Sequence, residues 1–277
     1  MKNQSFKKSR FAGKTALITG ASSGIGAATA RLLAQKGLKV ILVARRMEKL
    51  EQLAKEINAS GGTAQVFPAD LTSGEDMQNL IHQIHRGMIV ADVLINNAGF
   101  GWYGYFADMP EETAMEMLEV NIRAVVQLTR QLLPRMQVKG SGAIINVSSI
   151  AGGMPNQGIA MYAASKAFLD AFSTSLHREM RGSGVQVSVV RPGPVKTEFF
   201  ETARKLPNGG SVPAEQFSVS AEKVAEAIVN LLDHPRRVVY VPGMLAISKW
   251  METLFGWLID RMGPLLLRRH TPIKPLV

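Results

Sequence analysis

The chain predicts an α/β fold: a doubly wound parallel sheet of about seven strands with helices on both faces. Three observations predict it. Strand-like and helix-like stretches alternate between residues 15 and 241. The strand-like ones are short continuous runs of Val, Ile and Leu, the pattern of strands covered on both faces. With 277 residues, 46% of them hydrophobic, the chain has apolar surface enough for one large core.

Thr15–Thr19 (TALIT) reads as the first buried strand and Ile25–Lys36 as the helix after it. Lys39–Ala44 is the second strand, Met47–Ile57 a helix, Ala64–Ala69 the third strand and Gly74–His85 a helix. Asp92–Asn96 (DVLIN) is the fourth strand. Glu111–Gln137 reads as one long helix whose last turn is kinked or ended by Pro134. Gly142–Ser148, Val185–Arg191 and Arg237–Val241 complete the strands, with helices at Ala160–Arg181 and Ala221–Leu232. Right-handed crossovers then wind the sheet doubly. Lys205–Ser218 has linker composition without opening a second domain. The division is a basic arm over 1–12, one domain over 13–243 with a lid at about 195–220, and an amphipathic extension over 244–277.

The lack of cysteine excludes disulfides, thiolate zinc sites and thiol nucleophiles together. No apolar run reaches the ~18 residues of a membrane span, and no convincing signal peptide opens the chain. The net charge of +10 sits at the ends: residues 1–14 and 234–277 each carry +5, and the body between them balances. A nucleic-acid binder needs a basic face on its folded body, so nucleic acid is not an expected partner. The expected location is cytoplasmic, with weak contact to an anionic membrane surface kept open for the C-terminal end.

The first strand runs into Gly20-Ala21-Ser22-Ser23-Gly24-Ile25-Gly26, which opens the first helix. Glycines let the backbone turn sharply and approach a ligand, and the helix start offers unpaired N–H groups to a pyrophosphate. Between first strand and first helix, this turn points to a dinucleotide. An acid at the end of the second strand would take the ribose hydroxyls of NAD(H). The chain instead has Ala44-Arg45-Arg46, and arginine pairs bidentately with a phosphate. NADP(H) is therefore the expected cofactor, with Arg45 the first candidate for its 2′-phosphate and Arg46 or Ser22 assisting. Cations at a helix start are disfavoured unless an anion is bound, which also argues for the phosphate.

Tyr162 and Lys166 stand four apart near a helix start and share one face. An ammonium near a phenol moves it toward useful acid–base chemistry. Ser149 follows a buried strand, where its hydroxyl can hold a substrate oxygen or the phenol. His82 and His85 lack the glutamate and partner histidine of a zinc protease, and no metal site is expected. Ser148 and Ser149 have no GxSxG context, which argues against a hydrolase.

Taken together, these segments resemble the short-chain dehydrogenase/reductase superfamily, in its single-domain subgroup, over roughly residues 12–242. TGASSGIG (19–26) resembles the cofactor turn, NNAG (96–99, so Asn97, Ala98 and Gly99) the motif bordering the cofactor, and YAASK (162–166) the YxxxK pair. The resemblance implies a Rossmann-type sheet and a catalytic set of Asn121, Ser149, Tyr162 and Lys166. Ser149 lies thirteen residues before the tyrosine, which decides for it over Ser148. The same resemblance implies that Asp70, followed by Leu71, meets the adenine amino group. It also implies that Pro192, Gly193, Val195 and Thr197 face the nicotinamide. The roles implied are Tyr162 as acid/base, Lys166 lowering the phenol's pKa and holding the nicotinamide ribose, Ser149 positioning the substrate oxygen, and Asn121 anchoring a water. A homodimer or homotetramer is the family expectation.

Phe199, Phe200, Leu206 and Phe217 are candidates to line the lid, and Gly101–Phe106 (GWYGYF) to border the pocket. Both favour an apolar substrate. In the extension, Ile247, Trp250, Met251, Leu254, Phe255, Leu258 and Met262 recur at helical spacing, with Lys249, Glu252 and Asp260 opposite. That stripe is expected to pack on its own domain or a partner subunit, with a membrane interface as the second option, sustained by the ending LLLRR (265–269). The expected activity is NADPH-dependent hydride transfer to a lipophilic ketone, oxoacyl or steroid-like, or from the matching alcohol. The alternatives are a 3-oxoacyl-carrier-protein reductase and, from another class, a non-catalytic NADP(H)-binding regulator.

Overall fold

The structure, a computed structural model, describes residues 11–210 and 213–266. The chain runs through β1 (Thr15–Thr19), α1 (Gly24–Gln35), β2 (Lys39–Ala44), α2 (Met47–Ala59), β3 (Thr63–Pro68), α3 (Gly74–His85) and β4 (Val93–Asn96). Next come α4 (Glu111–Leu118), α5 (Ala124–Lys139), β5 (Gly142–Val147), α6 (Ala160–Glu179) and β6 (Val185–Pro192). Then β7 (Val195–Lys196), α7 (Phe199–Lys205), β8 (Val219–Ser220), α8 (Ala221–Asp233), β9 (Val238–Val241) and α9 (Ser248–Leu266) close the sequence of elements.

Seven strands form one parallel sheet in the order β3-β2-β1-β4-β5-β6-β9. After β3 the chain crosses back to lay β4 beside β1, so the winding direction reverses there. The crevice outside the carboxyl ends of those strands is where such sheets take ligands. Successive residues of the central strands serve opposite faces. Ile18, Leu42, Ile95 and Ile145 pack with Leu33 of α1, Leu50 of α2 and Ile228 of α8. Leu17, Ile41, Leu94 and Ile144 pack with Leu80 of α3, Leu128 of α5 and Leu176 of α6. Each such buried side chain contributes about 1.5–3 kcal/mol. Both faces are therefore sealed, and the polar work is left to the strand ends.

Two regions differ from the expectation. The long helix is interrupted: α4 passes through a π turn at Glu119–Arg123 into α5, which continues past Pro134 to Lys139. Pro134 removes one backbone donor, yet buried Leu132 and Met136 on either side hold the helix to the sheet. The lid is not a plain loop, since it holds α7, a 3-10 turn at Pro213–Phe217 and the short β7–β8 pairing.

In the extension, Ile247, Trp250, Leu254, Phe255 and Leu258 lie exposed. Trp257, on the same helix, is 67% exposed. Among the described residues, packing on its own domain leaves most of this stripe exposed, because α9 meets them mainly through the 3-10 turn Gly243–Ile247. The side chains of Lys249 and Met262, the arm residues Lys2, Lys7, Lys8 and Arg10, and the ending with Arg268, Arg269 and Lys274 lie outside the described residues. Among the described residues, no helix is long and apolar enough to cross a membrane.

Candidate active site

The turn after β1 is shaped by backbone that only glycine adopts easily: φ is 65° at Gly20 and 54° at Gly24. A Cβ on Gly26 would stand 2.3 Å from the Gly20 carbonyl oxygen, and one on Gly20 would stand 2.8 Å from Ala98 Cα. The fourth strand's end clamps this turn. Asn97 Nδ2 donates to the carbonyls of Thr19 (3.0 Å) and Gly20 (3.2 Å), while Thr19 Oγ1 accepts from the Asn97 and Ala98 amides (3.0 Å each). The start of α1 carries no acid in its first turn, and its N-cap Ser23 makes no side-chain cap bond. Its N–H groups and macrodipole suit an anion.

A groove of about 310 Å³ opens from the turn. Gly20, Ser22, Ser23, Gly24, Ile25, Arg45, Arg46, Asp70, Leu71, Asn97, Ala98, Gly99 and Thr197 all line it, so the structure brings these sequence candidates together. Gly26 acts from behind, by letting α1 close on the turn. Arg46, ahead of Arg45, stands against the serines: its Nη2 donates to Ser22 Oγ (2.9 Å) and Ser23 Oγ (3.0 Å). Its Nη1 pairs with Glu198 Oε2 at 2.6 Å, and Lys49 pairs with the other oxygen of the same carboxylate. Those two cations hold the Glu198 carboxyl at about 2. The Arg45 side chain is 66% exposed and 3.6 Å from Asp70 Oδ2. Burial acts to raise the Asp70 carboxyl, but hydrogen bonds from Thr72 and the Arg45 charge hold it below its ordinary value.

Next to the groove, and sharing Ile25, Asn97, Gly99, Thr197 and Phe199 with it, lies a second cavity of about 240 Å³. Ser149, Tyr162 and Lys166 line it, with Pro192, Gly193 and Val195. Ser149 stands two residues past the end of β5, and Gly152 after it lets this segment press on α6, since a Cβ there would meet the Lys166 carbonyl carbon at 2.8 Å. The Ser149 hydroxyl accepts from the Ala151 amide (3.2 Å) and acts to lower the Tyr162 phenol. Lys166 Nζ donates to the Val147 carbonyl at 3.0 Å and stands 5.7 Å from the centre of the Tyr162 ring. Burial dominates both groups. It pushes the phenol up to about 12 against the Ser149 hydroxyl, and the lysine down to about 8 against the charge of Asp170.

Asn121 sits fully buried on the π turn. Its Nδ2 donates to the Phe100 carbonyl and to Ser165 Oγ (3.0 Å each), and its Oδ1 accepts from the Phe100 amide (3.1 Å). Ser165 in turn donates to the Tyr162 carbonyl at 2.8 Å, tying Asn121 to the base of the tyrosine. One turn beyond Lys166, Asp170 pairs with Arg191 of β6 at 2.9 Å, and Arg191 reaches Tyr240 of β9.

The cavity walls are apolar. Phe199 and Phe200 line them as expected, whereas Leu206 does not and Phe217 is exposed. Phe199 lies 5.4 Å from the Tyr162 ring, centre to centre, and only the missing Cβ of Gly101 admits it there. The GWYGYF run divides: Trp102 lines the cavity and bonds the Pro207 carbonyl (3.0 Å), Tyr103 is buried, and Phe106 is exposed. Met154, Asn156 and Ile159, between β5 and α6, also line it and were not foreseen. No periodic signal marks such loop residues. Among the described residues, no group of three or more His, Cys, Asp or Glu is placed to hold a metal ion.

The sequence matches the short chain dehydrogenase family over residues 14–208. A very-long-chain 3-oxoacyl-CoA reductase of Anas platyrhynchos is 39% identical over 197 residues, covering 69% of this chain and 63% of the relative, so this chain spans under two thirds of that protein's length. The ketoacyl reductase HetN of a Nostoc species is 35% identical over 232 residues, 83% of this chain and 78% of the relative. Among solved structures, a short-chain dehydrogenase from Sphingobium yanoikuyae in complex with NADPH superposes with a TM-score of 0.77 at 31% identity, covering 95% of this chain and 99% of that one. The chain belongs to the short chain dehydrogenase family, a family of oxidoreductases.

Proposed function

We propose that this family member reduces the carbonyl of a lipophilic 3-oxoacyl compound with NADPH, or oxidises the matching alcohol. The observation that carries the reading is the convergence of Ser149, Tyr162 and Lys166 on an apolar cavity that shares residues with the glycine-turn groove. NADP(H) is favoured by Arg46 with Ser22 and Ser23 after β2, where the chain itself carries arginines rather than an acid. An acyl substrate is favoured by the aromatic and aliphatic walls and by the names of the two relatives, both reductases of oxoacyl compounds.

The cofactor, when bound, supplies a hydride for the carbonyl carbon, and the residues of this chain manage the oxygen. Ser149 holds the carbonyl oxygen, and Tyr162 delivers the proton that turns the developing alkoxide into an alcohol. With its hydroxyl held near 12, Tyr162 is a neutral donor throughout the working pH range. Lys166, as ammonium, supports the phenolate left behind and holds the nicotinamide ribose, and Asn121 anchors the water through which the proton is replaced. Family members act on small molecules and commonly form oligomers. The exposed face of α9 is proposed as a subunit contact with a second copy.

The test is NADPH oxidation against 3-oxoacyl thioesters from short to long chain, each as coenzyme A and as carrier-protein thioester. A kcat/KM rising with acyl length supports the reading. A higher value with ketose or aldose sugars overturns it, and activity confined to carrier-protein thioesters moves the substrate to that class.

A further inference from the structure

The start of α2 gathers positive charge from Arg46 and Lys49, and it does so beside the partly positive end of a helix. Such a cluster calls for an anion. The protein provides one from a point 152 residues further along the chain: the Glu198 carboxylate bridges both cations, one oxygen to each. Arg46 also holds Ser22 and Ser23 of the glycine turn, so Glu198 stands where an anion on the adenosine ribose would meet arginine and serine together.

Glu198 is not an isolated surface acid. Before it, Thr197 packs on the glycine turn, so closely that a Cβ on Gly24 would stand 2.8 Å from Thr197 Cγ2. After it, Phe199 opens α7 and covers the Tyr162 ring. Three consecutive residues thus touch the phosphate turn, the arginine–lysine pair and the catalytic phenol.

We propose that Glu198 tempers the preference for NADP(H) by holding, in the free protein, the Arg46–Lys49 site that the 2′-phosphate of NADP(H) takes over. The inference rests on the NADP(H) reading above and deepens it. NADPH has to displace the carboxylate, while NADH has no group to do so. Its apparent affinity is the intrinsic one reduced by the fraction of protein with the site open. Displacement also releases Glu198 from α2, so the residue next to Phe199 changes partners when the cofactor arrives. The low titration point of the carboxyl agrees with a fully ionised competitor at neutral pH.

The experiment titrates the full chain and Glu198→Gln with NADPH, NADH and 2′,5′-ADP. Glutamine keeps the shape and removes the charge. Glu198→Gln is expected to bind NADPH and 2′,5′-ADP about fivefold tighter or more, with NADH changed less than about twofold. Weaker NADPH binding by the variant would overturn the proposal and make Glu198 a clamp that steadies Arg46 for the phosphate. An equal change for NADPH and NADH would overturn it too, as the mark of a structural role only. If the unaltered chain binds NADH as tightly as NADPH, the cofactor reading itself fails, whatever the variant does. Glu198→Ala repeats the comparison should the glutamine variant fold poorly.

Discussion

The two walls of the catalytic cavity are held by different forces. The wall of β5 and α6 is fixed by buried polar bonds: Asn121 to Phe100 and Ser165, Ser165 to the Tyr162 carbonyl, Lys166 to the Val147 carbonyl, and Ser148 to the Lys166 carbonyl. Below it, Asn96, Asn146 and Ser173 continue the same network. The facing wall, Thr197 to Ala203, carries buried Phe200 and Ala203. It and the described lid residues after it are held by surface ion pairs of Glu198 and of Arg204 with Glu215, by ring contacts, and by bonds to Trp102 and Tyr103. Buried bonds are costly to break, whereas exposed ion pairs are worth ~0–1 kcal/mol and are screened by salt. On the proposed function, the chemistry is therefore mounted on the wall of buried bonds, and selectivity on the wall of exposed pairs.

The largest expected effect tests the wall of buried bonds. Tyr162→Phe removes one hydroxyl and leaves the ring, its contact with Phe199 and the backbone bond from Ser165 in place. kcat for ketone reduction is expected to fall by about 10²–10⁴-fold, the usual contribution of a positioned proton donor. NADPH affinity should change little, because the groove keeps its turn, Arg46 and Asp70. Turnover within a few-fold of the unaltered chain would sink the role of Tyr162. A matching loss of NADPH affinity would show that the two cavities are not separable.

A second prediction sharpens the same contrast through pH. Lys166 is ordinarily a cation to about 10.5, and burial brings it down to about 8, with the Asp170 charge opposing the fall. The ammonium is thus present below about 8 and lost above it, while Tyr162 keeps its proton to about 12. kcat/KM for NADPH, which reports groups of the free protein, should be flat below pH about 8 and then fall by about tenfold per unit. Lys166→Arg should remove that break, since guanidinium does not titrate in this range. A profile level to pH 9.5 would mean that Lys166 remains charged and that its burial is offset by more than Asp170.

The same contrast governs what the sequence made legible. All seven strands of the sheet were readable, and so were α1, α2, α3, α6 and α8, because continuous apolar runs are local and glycines punctuate them. The cofactor turn and the Tyr162–Lys166 pair were readable for the same reason, as short segments whose spacing carries the geometry. Glu198 was not, since its partners Arg46 and Lys49 lie some 150 residues away and only the folded sheet brings them together. The Asp170–Arg191 pair was hidden likewise, although Asp170 continues the spacing of Tyr162 and Lys166. The π turn escaped because one long apolar period runs across it, and the insertion shows only in backbone bonding. It lies at Asn121, in keeping with the habit of such bulges to mark functional positions. Residue order alone does not tell which of Arg45 and Arg46 faces the glycine turn, and the fold turns Arg46 onto Ser22 and Ser23.

The smallest expected effect on chemistry belongs to the extension, which stands apart from both walls. The 3-10 turn Gly243–Ile247 touches the site: Leu245 Cδ1 fills the space where a Cβ on Gly193 would be, at 2.7 Å. Beyond it, α9 presents Trp250, Leu254, Phe255, Trp257 and Leu258 outward. A chain ending at Ile247 keeps the contact with Gly193 and loses that face. Its kcat with a short oxoacyl thioester should stay within about twofold, while sedimentation velocity should show a smaller assembly than the full chain, as removal of a subunit contact requires. An unchanged assembly would exclude α9 as that contact. Retention of the full chain, but not the shortened one, on anionic vesicles would then give the face to a lipid surface. A large loss of kcat on the short substrate would instead tie α9 to the catalytic cavity, and the separation of a chemical wall from its surroundings would not hold at this end of the molecule.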